Sequence, residues 1–167
     1  MSGRAPAPGG LALVESLVNT RSVDTGDDRL AAEFGLSGAA LEEAAELREA
    51  LRGALLAHAG HELGPGAEER LNRLLAAAPL AVRIDASGAA TLAPLGGPTL
   101  LTRTAEALAE AAAAGTWPRL KACVADDCQE AYYDRSPAGR GRWCTMAICG
   151  SRAKMRKYRG KSSPSGV

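Results

Sequence analysis

Four cysteines, all near one end of a 167-residue chain, constrain its fold more than any other feature. Cys123, Cys128, Cys144 and Cys149 are the only ones present, spaced C-x4-C, fifteen residues, C-x4-C. A tight turn can join each pair of thiolates, and the segment between the pairs is long enough for a hairpin. Four sulfurs can therefore take the corners of a tetrahedron around one Zn2+, with zinc–sulfur distances near ~2.3 Å. Such a closed site is structural, since catalytic zinc keeps a position for water. Four unrelated buried cysteines are the bland alternative, and the paired spacing argues against it. Disulfides are disfavoured in the reducing cytoplasm where this chain is expected to reside.

Charge singles out the same region. Residues 1–118 carry nine Lys and Arg against fifteen Asp and Glu, a net of −6, whereas residues 119–167 carry eleven against four, a net of +7. From Arg135 onward there is no acidic side chain. This asymmetry marks a nucleic-acid or anionic-surface module attached to an ordinary body. No run approaches a membrane span and no signal peptide is convincing, so no membrane partner is expected.

The rest of the chain reads as helices built on Ala and Leu. Leu11, Val14, Leu17 and Val18 form a helical stripe ending near Asn19. Ser37 can cap a long helix lined by Leu41, Leu47, Leu51 and Leu55, closed by Gly60. Leu71, Leu74 and Leu75 mark another, ended by Pro79. The alternation of "LAVRID" followed by "ASGAATLAPL" predicts a hairpin near 80–93 that turns at Ser87 and Gly88. A last body helix follows, with Pro98 near its first turn. The fold class is therefore mainly α with a small β-hairpin: a disordered tail over 1–10, a helical body over 11–117, a four-cysteine finger over 118–160 and a disordered tail over 161–167.

Within the finger, "EAYYD" and "RGRWC" alternate well enough for two strands joined by "RSPAG", and the run after Cys144 is expected to be helical with Thr145 as a cap. Together these make a knuckle, a hairpin and a helix around one metal, as in a treble clef. A piece this small cannot bury a core, so the metal is expected to supply its folding energy, and a chelator to unfold it while sparing the body. Around the helix, Ala147, Ile148, Ser151, Met155 and Tyr158 share one side, expected to dock on the hairpin. Arg152, Arg156 and Arg159 form one flanking row and Lys154, Lys157 and Lys161 another. With Arg140 and Arg142 these are the candidate nucleic-acid contacts, DNA being favoured over RNA.

"LKACVADDC", "YYDRSPAGRGRWC" and "TMAICGSRAKMRKYR" resemble the CGNR zinc fingers at the C-terminus of a bacterial family of stress-induced transcription regulators. "LALVESLVNTR" resembles the start of that family's N-terminal ABATE domain. The resemblance implies a DNA-binding regulator. Ser151 stands where the naming motif has Asn, so an amide-specific contact does not carry over.

Other chemistry is sparse. His58 and His61 are the only histidines and read as charges at a helix end. No catalytic residues are found, so an enzyme is not expected. Asn19, Thr20 and Arg21 admit two readings, a helix end satisfying backbone groups or a polar patch lining the pocket of an unknown small-molecule effector. A homodimer is compatible with the helical body. Two alternatives to DNA binding stay open: an RNA-binding accessory protein stacking bases on Tyr132, Tyr133 and Trp143, and a basic module gripping an acidic protein.

Overall fold

The computed structural model describes residues 4–161. Among them are six α-helices and two two-stranded antiparallel hairpins. In chain order these are α1 (Leu11–Asn19), α2 (Leu30–Phe34), α3 (Gly38–His58), α4 (Ala67–Ala76), β1 (Leu80–Ile84), β2 (Ala90–Pro94), α5 (Leu100–Ala113), β3 (Leu120–Ala122), β4 (Ala131–Tyr133) and α6 (Ser151–Lys161). The mainly helical architecture with its C-terminal cysteine cluster is the one that composition and spacing predict.

The apolar stripes become the core. Leu11, Val14, Leu17 and Val18 of α1 and Leu47, Leu51 and Leu55 of α3 are buried together, with Leu71, Leu74 and Leu75 of α4 half-buried at the margin. Helices α1 and α5 approach closely because residue 10 is glycine: a Cβ there would lie 2.7 Å from that of Ala107. Ser37 holds the N-cap position of α3 in extended conformation but makes no side-chain cap bond, and Gly60 follows the helix end at φ 95°. Helix α5 is started by a reciprocal pair, Thr99 and Thr102, each hydroxyl accepting from the other's backbone N–H. Strands β1 and β2 pair from Leu80↔Pro94 to Ile84↔Ala90, and β2 leans on α5.

The structure corrects the finger's strand pairing. "EAYYD" contributes β4, but its partner is β3, in register Leu120↔Tyr133 and Ala122↔Ala131; "RGRWC" is not a strand. Burial decides this. Leu120, Ala122 and Ala131 lie within the core of the helical body, whereas Arg140 and Arg142 stay at the surface. The Cys123–Cys128 knuckle is thus the connection of the hairpin itself, and the 140–143 segment is tied alongside by Val124 N–H donating to the Arg142 carbonyl at 3.0 Å.

Residues 4–10, expected to form a free tail, are mostly exposed but tied to the fold at several points. Ala7 is buried and its N–H donates to Glu15; Arg135 donates to the carbonyls of Ala5 and Pro6, and the Arg4 guanidinium lies 4.9 Å from the Tyr132 ring centroid. Of the expected C-terminal tail only Lys161 is described, as the last residue of α6. No described helix is long and apolar enough to cross a membrane.

Candidate metal centre and its basic helix

The knuckle brings the first two thiols together through backbone bonds. Cys123 N–H donates to Glu130 O at 3.0 Å, and the N–H groups of Cys128 and Gln129 converge on Ala125 O at 2.9 and 3.2 Å. Closing the turn forces Gln129 to φ 52°, a left-handed conformation unusual for a residue other than glycine. The second pair uses a different device. Cys144 precedes a π turn over Met146–Gly150, closed by Gly150 N–H to Thr145 O. An α-helix would leave residues five apart on divergent faces; the wider turn brings Cys149 back over Cys144. Thr145 sits at the start of this turn without capping it through its side chain.

All four sulfurs lie within 4.8 Å of one another, and Cys144 is 3.6 Å from both Cys128 and Cys149. A tetrahedron with zinc–sulfur bonds near 2.3 Å has edges of about 3.8 Å, so the cluster has the right size. Three of the cysteines are buried and Cys128 is half-buried. Their electrostatics ask for a cation. Bonds from the Cys128 and Cys144 thiols hold Cys123 down to about 2, while that bond from Cys128 to Cys123 pushes Cys128 up to about 12. Bonding to Cys123 and Cys128 drives Cys144 higher still, and burial raises Cys149. Crowded together, the thiols oppose one another's ionisation, and a divalent ion favours the thiolate form of all four. These four cysteines could bind one zinc ion.

Three side chains of the helical body hold the finger by its backbone. The Asn19 amide donates to Ala131 O at 2.9 Å and accepts from Ala131 N–H at 2.8 Å, extending β4 by one side-chain pairing. Buried Arg52 donates to Gln129 O at 2.9 Å and to Val18 O at 2.8 Å, joining the strained knuckle to the end of α1, with Glu49 at 3.2 Å as its counter-charge. His58 Nδ1 meets Leu120 O at 2.8 Å, which makes that nitrogen the protonated one, and its ring stands edge-on to Trp117.

Thr20 donates to Leu17 O at 2.8 Å and accepts from Arg48 at 3.1 Å, and Arg21 faces Glu49 at 3.8 Å. The polar atoms of Asn19 and Thr20 therefore point at interior partners. Sequence reading missed Arg52 and Arg48, and a signal existed: they are spaced i, i+4 beside the apolar row Leu47, Leu51 and Leu55.

The loop between β4 and Cys144 is organised by a buried ion pair. Lys121 Nζ lies 3.0 Å from the Asp134 carboxylate and also donates to the Gly139 and Gly141 carbonyls. Asp134 accepts from the N–H groups of Ser136 and Gly141. Burial alone would raise its pKa, but bonds from Ser136, Lys121 and Gly141 hold it well below the usual carboxylate range. Residue 141 must be small, since a Cβ would come within 2.9 Å of that fixed carboxylate.

The candidate nucleic-acid contacts divide. Arg140, Arg142, Arg152, Lys154, Arg156 and Arg159 are exposed, while the side chains of Lys157 and Lys161 lie outside the described residues. Arg152 is not without a carboxylate: Asp127 of the knuckle lies 3.3 Å away. The expectation that the apolar side of this helix docks on the hairpin is overturned. Ile148, Met155 and Tyr158 are 53%, 54% and 72% exposed, because α6 grows outward from the π turn and packs chiefly on it. The aromatic side chains do the reverse of what base stacking requires. Tyr132 is buried against the cysteines, Trp143 packs on the same cluster, and Tyr133 lies under the Arg135 guanidinium at 5.1 Å.

Residues 119–162 match the CGNR zinc finger family, a stretch that contains both cysteine pairs, the Lys121–Asp134 pair and all of α6. No curated protein matches the chain.

Proposed function

We propose that this chain is a zinc-containing DNA-binding protein, a bacterial transcription regulator in which an ABATE-like body carries a CGNR finger and α6 contacts the duplex. One observation carries the reading: α6 projects from the metal centre with Arg152, Lys154, Arg156 and Arg159 exposed, and Asp127 is the one carboxylate paired with them among the described residues. The metal supplies folding free energy and no catalysis, and we assign the chain no enzymatic role. The RNA reading loses its support with the burial of Tyr132 and the packing of Trp143. Exposed Ile148 and Met155 favour the protein-interaction module as second reading.

The test is competition among duplex DNA, single-stranded DNA and RNA at fixed salt, followed by a salt titration on the preferred ligand. Duplex DNA should win. About four to six phosphate contacts give a slope of log K against log salt of about −3.5 to −5.5. A nearly flat dependence would leave the protein-interaction module ahead.

A further inference from the structure

The exposed face shared by the π turn and α6 has a layout that phosphate binding alone does not explain. Ile148, Ser151 and Met155 line one open groove of about 480 Å³ together with Arg152, Arg156 and Arg159. Lys154 is exposed on the other flank of the apolar row, since it lies about 100° from Met155 around the helix, on the side away from Arg156. The face is thus an apolar strip between cationic edges, charge-complementary to a polyanion whose phosphates run along both sides of a groove.

What the strip can read is limited by its side chains. From Ala147 to Arg159 there is no Asn, Gln, Asp or Glu, so bidentate readout of adenine and acceptance from cytosine are both absent. Ser151 already donates its hydroxyl to Met146 O at 3.0 Å. The one apolar group that a DNA major groove presents is the C5-methyl of thymine. Ile148 of the π turn and Met155 of α6 are seven residues apart, about 10 Å along the helical path, or about three base-pair steps.

We propose that α6 and the π turn before it recognise thymine through its methyl group, with Ile148 and Met155 as the specificity-determining contacts and the arginine and lysine edges on the flanking phosphates. This rests on the DNA-binding reading above. The test compares, for the zinc-loaded full chain, an A·T-rich duplex with the same duplex carrying deoxyuridine for every thymine. That exchange removes the methyls and leaves the charge and hydrogen-bonding groups in place. Wild type should lose about fourfold in affinity per buried methyl. Met155→Ala and Ile148→Ala should each narrow the difference while keeping zinc content.

Equal affinity for the two duplexes, with binding intact, would overturn the proposal and leave DNA binding standing; the strip would then belong to a protein or lipid surface. A thymine preference undiminished in both variants would overturn the assignment to Ile148 and Met155. Binding to neither duplex would overturn both the proposal and the reading beneath it.

Discussion

Lys121 shows how little a residue's type says about its role. It adds to the positive charge of the finger, yet it is 3% exposed and its ammonium is enclosed by Asp134 and two carbonyls. Lys121→Met should therefore cost about 3–5 kcal/mol in urea denaturation, because Asp134 would be left buried and unpaired. The neutralisation should leave the salt slope of any nucleic-acid binding unchanged. An unaltered midpoint would contradict the buried pair. His58 gives the pH prediction. Burial depresses its pKa below the ordinary imidazole value, outweighing the Leu120 carbonyl bond that raises it, with Lys121 adding a further lowering. The folded state thus favours the neutral ring and the unfolded chain binds the proton more readily. The contribution to stability is present above about pH 6.5 and lost as pH falls through and below it. His58→Gln should flatten the pH 5 to 7 part of a stability profile, which denaturation at stepped pH measures.

At the scale of elements, the decisive contacts join helices to the finger's backbone. Arg52 of α3 satisfies Gln129 O at the left-handed turn beside Cys128, and Asn19 at the end of α1 pairs with Ala131. Removing Arg52 orphans the buried carbonyls of the knuckle and of α1, a loss on the order of 2–4 kcal/mol. Arg52→Leu and Asn19→Ala should both release zinc faster to a competing chelator, although neither residue is a ligand. Release at the wild-type rate would mean that the knuckle holds its shape without the body. Within α6, the Arg152 and Arg156 edge can make bidentate pairs, whereas Lys154 is a mobile point charge. Arg156→Ala should cost more affinity than Lys154→Ala, and both should weaken binding to all duplexes alike, read from paired titrations on a selected and a random duplex.

At the scale of the molecule, the finger's hairpin shares the core of the helical body, while the cysteines form a second cluster beside it. Leu120, Ala122 and Ala131 belong to the same buried cluster as Leu17, Leu51 and Leu55, and residues 4–7 fold back onto Tyr132 and Tyr133's neighbour Arg135. This shared core favours a different outcome of chelation from the one in which the body is spared. Removing zinc, or substituting Cys144→Ser, should lower the thermal midpoint of the helical signal as well as abolish metal binding, because loss of β3 and β4 uncovers part of the helical core. Two separate transitions, with the helical one unmoved, would show that the shared core contributes little.

The metal ligands, the helical stripes, the first hairpin and the segregation of charge are legible in the sequence because each is a local pattern. Spacing, 3.6-residue periodicity, turn residues and charge counts act over a few residues at a time. Much of the rest depends on partners far away in the chain. Whether "EAYYD" pairs with "RGRWC" or with "LKA" was decided by which strand could bury its apolar side chains against α3. Whether Asn19 lines a pocket or binds Ala131 was decided across 112 residues of sequence. Arg52, Lys121 and Tyr132 look like surface or contact residues by type, and only the tertiary structure supplies the carbonyls, the carboxylate and the cysteine cluster around which each is buried. Burial of a polar group is a property of its surroundings, so composition and spacing alone do not contain it.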